Sequence, residues 1–190
     1  MKDTLLGIAS ETYSCAPSTV QQAAVTAYID DDITETYLQN QRDILRILSA
    51  KLHTAMIAVG IDVHKAQGGF YFFLDFHPFQ QKLSFKLGID TSDLLCEDIL
   101  AKTGVALLPS TAFGFSSSHL SARMAYVDFD GTAALNEATK KGGGRIDEEL
   151  VDKYCANTVE GVDKLCEYFA ALDVKDVGSS SCSSTGSEKL

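Results

Sequence analysis

The strongest constraint in this sequence is one long amphipathic pattern that opens on a run of acids. Asp30, Asp31 and Asp32 precede it, and Tyr37, Ile44, Leu45, Leu48, Leu52, Ala55, Met56 and Val59 then recur at helical spacing. Asp32 with Glu35 three residues on predicts a capping pair, and the acidic run suits the positive end of a helix dipole. Gly60 closes the pattern. The helix so predicted is about seven turns long at 3.6 residues per turn. It is apolar on one side only, so the fold must offer a layer to cover that side.

Three further helices and three strands are predicted around it. Pro17 and Ser18 start a helix over Ser18 to Tyr28. Another runs from Ser92 to Lys102, with Gly104 just past its end. The last spans Asp147 to Leu172, with Val151, Tyr154, Cys155, Val162, Leu165, Cys166 and Phe169 on one face. Gly69 to Phe76 is rich in aromatic residues and reads as a strand. Val105 to Leu108 is a short apolar strand stopped by Pro109, and Ala122 to Val127 is the third. Strands and helices interleave, and a loop links the last two strands. The expected fold class is therefore α/β, a short, mainly antiparallel sheet covered by helices on one face.

At 190 residues there is room for one good domain or two small ones. Sixteen Lys and Arg against twenty-six Asp and Glu leave a net charge of −10. Such a chain repels phosphate backbones and anionic lipid, so neither nucleic acid nor a membrane is expected as a partner. The apolar run Gly69 to Phe76 is interrupted by Asp75 and far shorter than the ~20 residues of a membrane span. Cys15, Cys96, Cys155, Cys166 and Cys182 are odd in number and scattered, which fits a reduced, cytoplasmic setting. The Ser-rich stretch from Gly178 to Leu190 has little that could pack and reads as a disordered tail.

Most motif-like stretches have plain explanations. Ser116, Ser117 and Ser118 beside His119 lack the G-x-S-x-G elbow and read as a polar loop. His53, His64, His77 and His119 never fall four apart on a helix. Tyr126 to Gly131, with Glu137 beyond, matches part of a calcium loop, but a phenol stands where the leading carboxylate belongs. A strand leaving into an Asp-Gly turn explains the same residues. Lys140 to Arg145 lacks the spacing of a phosphate loop and reads as a flexible connection.

Arg123 is different, being the only arginine between Arg46 and Arg145. It falls inside a short strand, just after the small-residue loop Phe113 to Ser118. Spacing alone allows an edge-strand arginine facing solvent. The functional alternative, which spacing alone favours less, is a guanidinium whose planar fork holds a carboxylate through two parallel hydrogen bonds.

Four stretches together resemble the C-terminal part of a class I/II aminotransferase, a pyridoxal-phosphate enzyme of fold type I. They are Ser10 to Pro17 followed by Gln21-Gln22-Ala23-Ala24, then Gln67-Gly68-Gly69-Phe70-Tyr71, then Gly104 to Pro109 leading to Ala112-Phe113-Gly114, and finally Arg123-Met124-Ala125-Tyr126. The order Gly-Val, Pro, Phe-Gly, Arg is the most specific of these. The resemblance covers about residues 1 to 175 and is looser from Thr132 to Arg145.

That resemblance implies a role for Arg123, which falls where the family's arginine binds the substrate α-carboxylate. An amino acid and a 2-oxo acid share this group, so one clamp serves both halves of an amino-group transfer. It further implies pyridoxal 5'-phosphate as cofactor, amino acid and 2-oxo acid substrates, and a homodimer in the full-length family. Residues 1–29 would be an interdomain helix and lead-in segment, 30–175 the small substrate-closing domain, and 176–190 the tail. Two departures stand out. Ser110 follows Pro109 where the family usually has Gly. Ser10-Glu11-Thr12 occupies the place where dicarboxylate-specific members carry an Arg, which gives no support to a side-chain clamp for aspartate or glutamate.

In the family the Schiff-base Lys, the Asp paired with the pyridine nitrogen and the phosphate-holding groups all precede the Ser-rich segment. The expectation is therefore a chain that contributes substrate binding and does not transaminate alone. A stand-alone α/β module that binds a small carboxylate or a protein partner is the competing expectation. In either case the Leu5 to Ala9 segment and the helix after Pro17 should expose apolar surface.

Overall fold

The structure, a computed structural model, describes residues 2–13, 18–29, 31–140 and 146–172. Its elements in chain order are α1 (Lys2–Tyr13), α2 (Ser18–Ile29), α3 (Asp31–Ala58), β1 (Asp62–Val63), β2 (Tyr71–Asp75), α4 (Gln80–Leu87), α5 (Ser92–Thr103), β3 (Leu108–Pro109), β4 (Ser121–Ala125), α6 (Gly131–Lys140), α7 (Glu148–Tyr154) and α8 (Ala156–Ala171). Short 3₁₀ turns at His77–Phe79 and Ser110–Phe113 precede α4 and β4. The chain divides into two compact units, Met1–Ile47 with Asp130–Tyr154, and Leu48–Phe129 with Cys155–Leu190.

The second unit holds the sheet. Its strand order is β1-β2-β4-β3, with every pair antiparallel. Alternation along the two longer strands sends Phe72 and Leu74 of β2, and Ala122 and Met124 of β4, into the core. Leu48, Leu52 and Met56 from α3, Leu95 and Ile99 from α5, and Leu165 and Phe169 from α8 are buried in the same unit. The Phe76 and Phe169 rings stack with centroids 4.8 Å apart and only 9° between planes. Tyr168 donates a 2.6 Å hydrogen bond to Asp98, which also pairs with Lys102 at 2.8 Å, so α8 is tied to α5 by polar as well as apolar contacts. Helices cover one face of the sheet, as the α/β reading expects.

Local chemistry explains where α5 begins and ends. Thr91 accepts a hydrogen bond from the Leu94 N–H at 3.3 Å, satisfying one free donor of the first turn. Gly104 takes φ +77°, a left-handed conformation that ends the helix without a Cβ clash. Burial pushes the Cys96 thiol up to about 12 and the Cys166 thiol up to about 11, a trend nearby Asp93 and Asp163 respectively reinforce, so both behave as core residues.

In the first unit, α6 packs against α7. The Asp130 carboxylate accepts from the Ala133 N–H at 3.0 Å, so the expected Asp-Gly turn is the N-cap of a helix. Leu5, Leu6, Ile8, Val20, Val25, Tyr28 and Ile29 are exposed on α1 and α2, as expected of the N-terminal segment. Glu35, expected in a capping pair with Asp32, forms an exposed 3.1 Å ion pair with Arg42; the Asp32 side chain lies outside the described residues. So do residues 14–17, the Lys-Gly-rich stretch 141–145 and the Ser-rich tail.

Three expectations need correction. The final helix is two helices, separated at Cys155, which sits at φ −107°, ψ 20°. No Gly or Pro marks that break, so the apolar period runs straight through it. The predicted strand at Val105 to Leu108 begins only at Leu108 and includes Pro109, which a short edge strand tolerates. Helices α1, α4 and α6 were not expected; α4 has only Leu83 buried, too weak an apolar face to show as a period.

Candidate functional site

The sheet face turned away from the core carries the site. Residues 121, 123 and 125 of β4 point there, as do Tyr71 and Phe73 of β2. Arg123 lies directly opposite Phe73 on one side and Leu108 on the other. An arginine with a paired strand on both sides is not an edge residue, so the solvent-facing edge reading is set aside. Its side chain is half-buried, and among the described residues it makes no hydrogen bond and no ion pair.

Rings surround it. The Arg123 guanidinium carbon sits 4.2 Å from the Tyr71 ring centroid and 5.0 Å from that of Phe113. The chain of rings continues outward from both neighbours. Tyr71 meets Phe70 at 4.3 Å, Phe113 meets Phe73 at 6.0 Å, Phe73 meets Phe115 at 5.6 Å, and Phe115 stacks on His119 at 5.1 Å. Each of Phe70, Tyr71, Phe73, Phe113 and Phe115 is exposed by 40% or more. A cation is thus set into an open aromatic strip, where the quadrupole of each ring face attracts it.

Two hydrogen-bonded supports hold that strip. The Ser110 hydroxyl is fully buried and donates to the His119 carbonyl at 2.8 Å, closing the loop that carries Phe113 and Phe115. Thr111 donates to Asp93 of α5 at 2.9 Å, and the Ser92 N–H donates to the Ser117 carbonyl at 2.9 Å. Gly114 supplies the φ +81° needed to turn between the two phenylalanines. On the other side, Tyr126 donates to the Gly69 carbonyl at 2.9 Å and so fixes the approach to Tyr71. Burial pushes the Tyr126 phenol above its ordinary value, which keeps the donor protonated.

The Ser–His pairing has no nucleophilic geometry. Ser116 and Ser118 hydroxyls bond each other at 2.9 Å, and the His119 ring lies on Phe115. Among the described residues no group of three or more His, Cys, Asp or Glu could hold a metal ion, and no helix is long and apolar enough to cross a membrane. No described lysine is buried, and Lys102, Lys140 and Lys164 are paired with carboxylates.

The sequence singled out Arg123 but not its neighbours. Tyr71 and Phe73 were visible as alternate positions of an aromatic strand, and Phe113 and Phe115 flank a glycine in the loop. Their convergence depends on the register of β2 with β4, which nothing in the sequence states.

Comparison with known proteins places the chain. The sequence profile of a family described as aminotransferase class I and II matches residues 1–138. An aspartate aminotransferase of Sulfolobus acidocaldarius is 28% identical over 144 residues, covering 74% of this chain and 32% of that protein. Among solved structures, a Pyrococcus protein titled protein-A1 superposes with a TM-score of 0.56 at 17% identity, over 89% of this chain and 34% of that one. An aspartate aminotransferase of Thermus thermophilus, in a mutant form, gives a TM-score of 0.53 at 17% identity, over 87% of this chain and 34% of that one. The chain spans about a third of the length of the relatives it matches.

Proposed function

The chain belongs to the aminotransferase class I and II family, and we propose that it supplies the substrate-carboxylate side of an amino-group transfer between an amino acid and a 2-oxo acid. Arg123 binds the α-carboxylate that both substrates carry. The observation that carries this reading is a half-buried guanidinium, on an inner strand, with no carboxylate partner among the described residues. An arginine with no ion pair among the described residues, held between rings on the open face of the sheet, is ready to take an anion, and two parallel charged hydrogen bonds fix the orientation of the substrate as well as its affinity. Neighbouring rings exclude water from one side of the pair and strengthen it.

Pyridoxal 5'-phosphate, the family's cofactor by resemblance, supplies the electron sink for such chemistry when bound. The described residues of this chain do not fit its attachment, because none of their lysines is buried. Their work is to bind and orient substrate, and the 190-residue chain by itself does not transaminate. In this reading residues 30–175 form the small substrate-closing domain and residues 1–29 the connection to it, in a cytoplasmic homodimer once the family's full length is present. A titration separates the clamp from non-specific adsorption. Pyruvate should bind the purified chain saturably, whereas methyl pyruvate, which lacks the free carboxylate, should not. Equal binding of the two would contradict the proposal.

A further inference from the structure

We propose that Tyr71 and Phe113 are positioning residues for Arg123, holding its guanidinium by its faces so that its in-plane donors stay free for a carboxylate. The inference rests on the reading of Arg123 as a carboxylate clamp and adds how that clamp is kept ready.

A long, flexible arginine must be restrained if it is to bind a small anion well, because its own rotamer freedom is otherwise lost on binding. Arginines are commonly restrained by a neighbouring carboxylate, but such a partner consumes the donors a substrate needs. Aromatic faces do not. They attract the cation through its π surface and accept no conventional hydrogen bond from its N–H edge. Arg123 has no carboxylate partner among the described residues, and two rings lie within 5.0 Å of its guanidinium carbon.

Register explains why these two rings serve. Tyr71 pairs with Ala125 and Phe73 with Arg123, so Tyr71 is the diagonal neighbour of Arg123 on the same face. Diagonal neighbours lie too far apart for short side chains but within reach of an aromatic ring and a long cation. Phe73, directly opposite, meets Phe113 and Phe115 instead, and so braces the second ring. Phe113 is further fixed by the loop that Ser110 and Thr111 tie down. Both rings are therefore placed by backbone pairing and hydrogen bonds that exist without substrate.

The test uses the full 190-residue chain with labelled arginine, observed by NMR and titrated with sodium pyruvate. In the free protein the Arg123 side-chain protons should show an upfield ring-current shift, kept in Tyr71→Phe and largely lost in Tyr71→Leu. Pyruvate affinity should stay within about twofold of the parent in Tyr71→Phe. It should fall about two- to fivefold in Tyr71→Leu and in Phe113→Leu, the range expected for loss of one exposed cation–π contact. Leucine keeps apolar bulk on each exposed site, and the second ring provides an independent variant should one of them fold poorly. Parent-like affinity in both leucine variants, with binding still abolished by Arg123→Ala, would overturn the positioning role and leave the clamp standing. Undiminished binding in Arg123→Ala would overturn the clamp and the positioning role with it. Equal losses in Tyr71→Phe and Tyr71→Leu would assign the effect to the hydroxyl and contradict a role for the ring.

Discussion

Arg123 and Tyr71 occupy a diagonal pair on the two inner strands of the sheet, with the guanidinium carbon 4.2 Å from the ring centroid. The contact holds a cation on an open face, and no acid among the described residues neutralises it. A stacked arginine of this kind contributes about 0.5–1 kcal/mol at an exposed site, so its value to the fold is small. Its value lies in the donors it leaves uncommitted.

The loop beneath the aromatic strip depends on Ser110. Its buried hydroxyl closes the turn on the His119 carbonyl. Ser110→Gly, which restores the residue type usual in the family, removes that hydrogen bond and loosens the backbone. We expect a loss of about 1–2 kcal/mol in denaturant unfolding, together with weaker carboxylate binding as Phe113 and Phe115 lose their placement. An unchanged unfolding midpoint would show that the bond carries no net stability.

Two residues before Arg123, the Ser121 hydroxyl is buried without a hydrogen-bond partner. An unsatisfied buried hydroxyl is a cost to the fold, so Ser121→Ala should leave stability unchanged or raise it by up to about 1 kcal/mol. A loss above about 1 kcal/mol, measured by urea denaturation, would mean that the hydroxyl has a partner in solution.

The link between α5 and α8 should make stability depend on acid. Burial alone would raise the Asp98 pKa, but hydrogen bonds from Lys102 and Tyr168, with the Lys102 charge, outweigh it and hold the carboxyl below its ordinary value. A lowered folded-state value means that this contribution is complete above the ordinary carboxylate range, near pH 4, and is lost as pH falls from there through the folded-state value. Asp98→Asn should therefore flatten the acid limb of the stability curve while lowering stability at pH 7. Thermal melts between pH 7 and pH 3 read both effects, and parallel acid limbs in the two proteins would contradict the assignment.

What could be read from the sequence follows from where the physics is local. Helix α5 was legible because Ser92 and Gly104 mark its ends, and α3 because its apolar stripe runs for many turns. Arg123 was legible because it is isolated among arginines and follows a Phe-Gly turn. The break at Cys155 was not, since it lies in an unbroken apolar period with no glycine or proline. Nor was the partnership of Arg123 with Tyr71 and Phe113, which is made by strand register and by a loop anchored through Ser110. Such placement is a property of the folded sheet, and residues 52 and 10 positions away in the chain give no local sign of it.

The central claim is that Arg123 is a carboxylate clamp. Isothermal titration of the chain with pyruvate, in the parent and in Arg123→Ala, tests it most directly. Because the side chain makes no hydrogen bond or ion pair among the described residues, the alanine variant should keep its unfolding free energy to within about 1 kcal/mol. It should nevertheless lose at least tenfold in affinity, the scale of one charged hydrogen bond of about 1.5–3 kcal/mol. Parent-like affinity in a folded Arg123→Ala protein would contradict the claim.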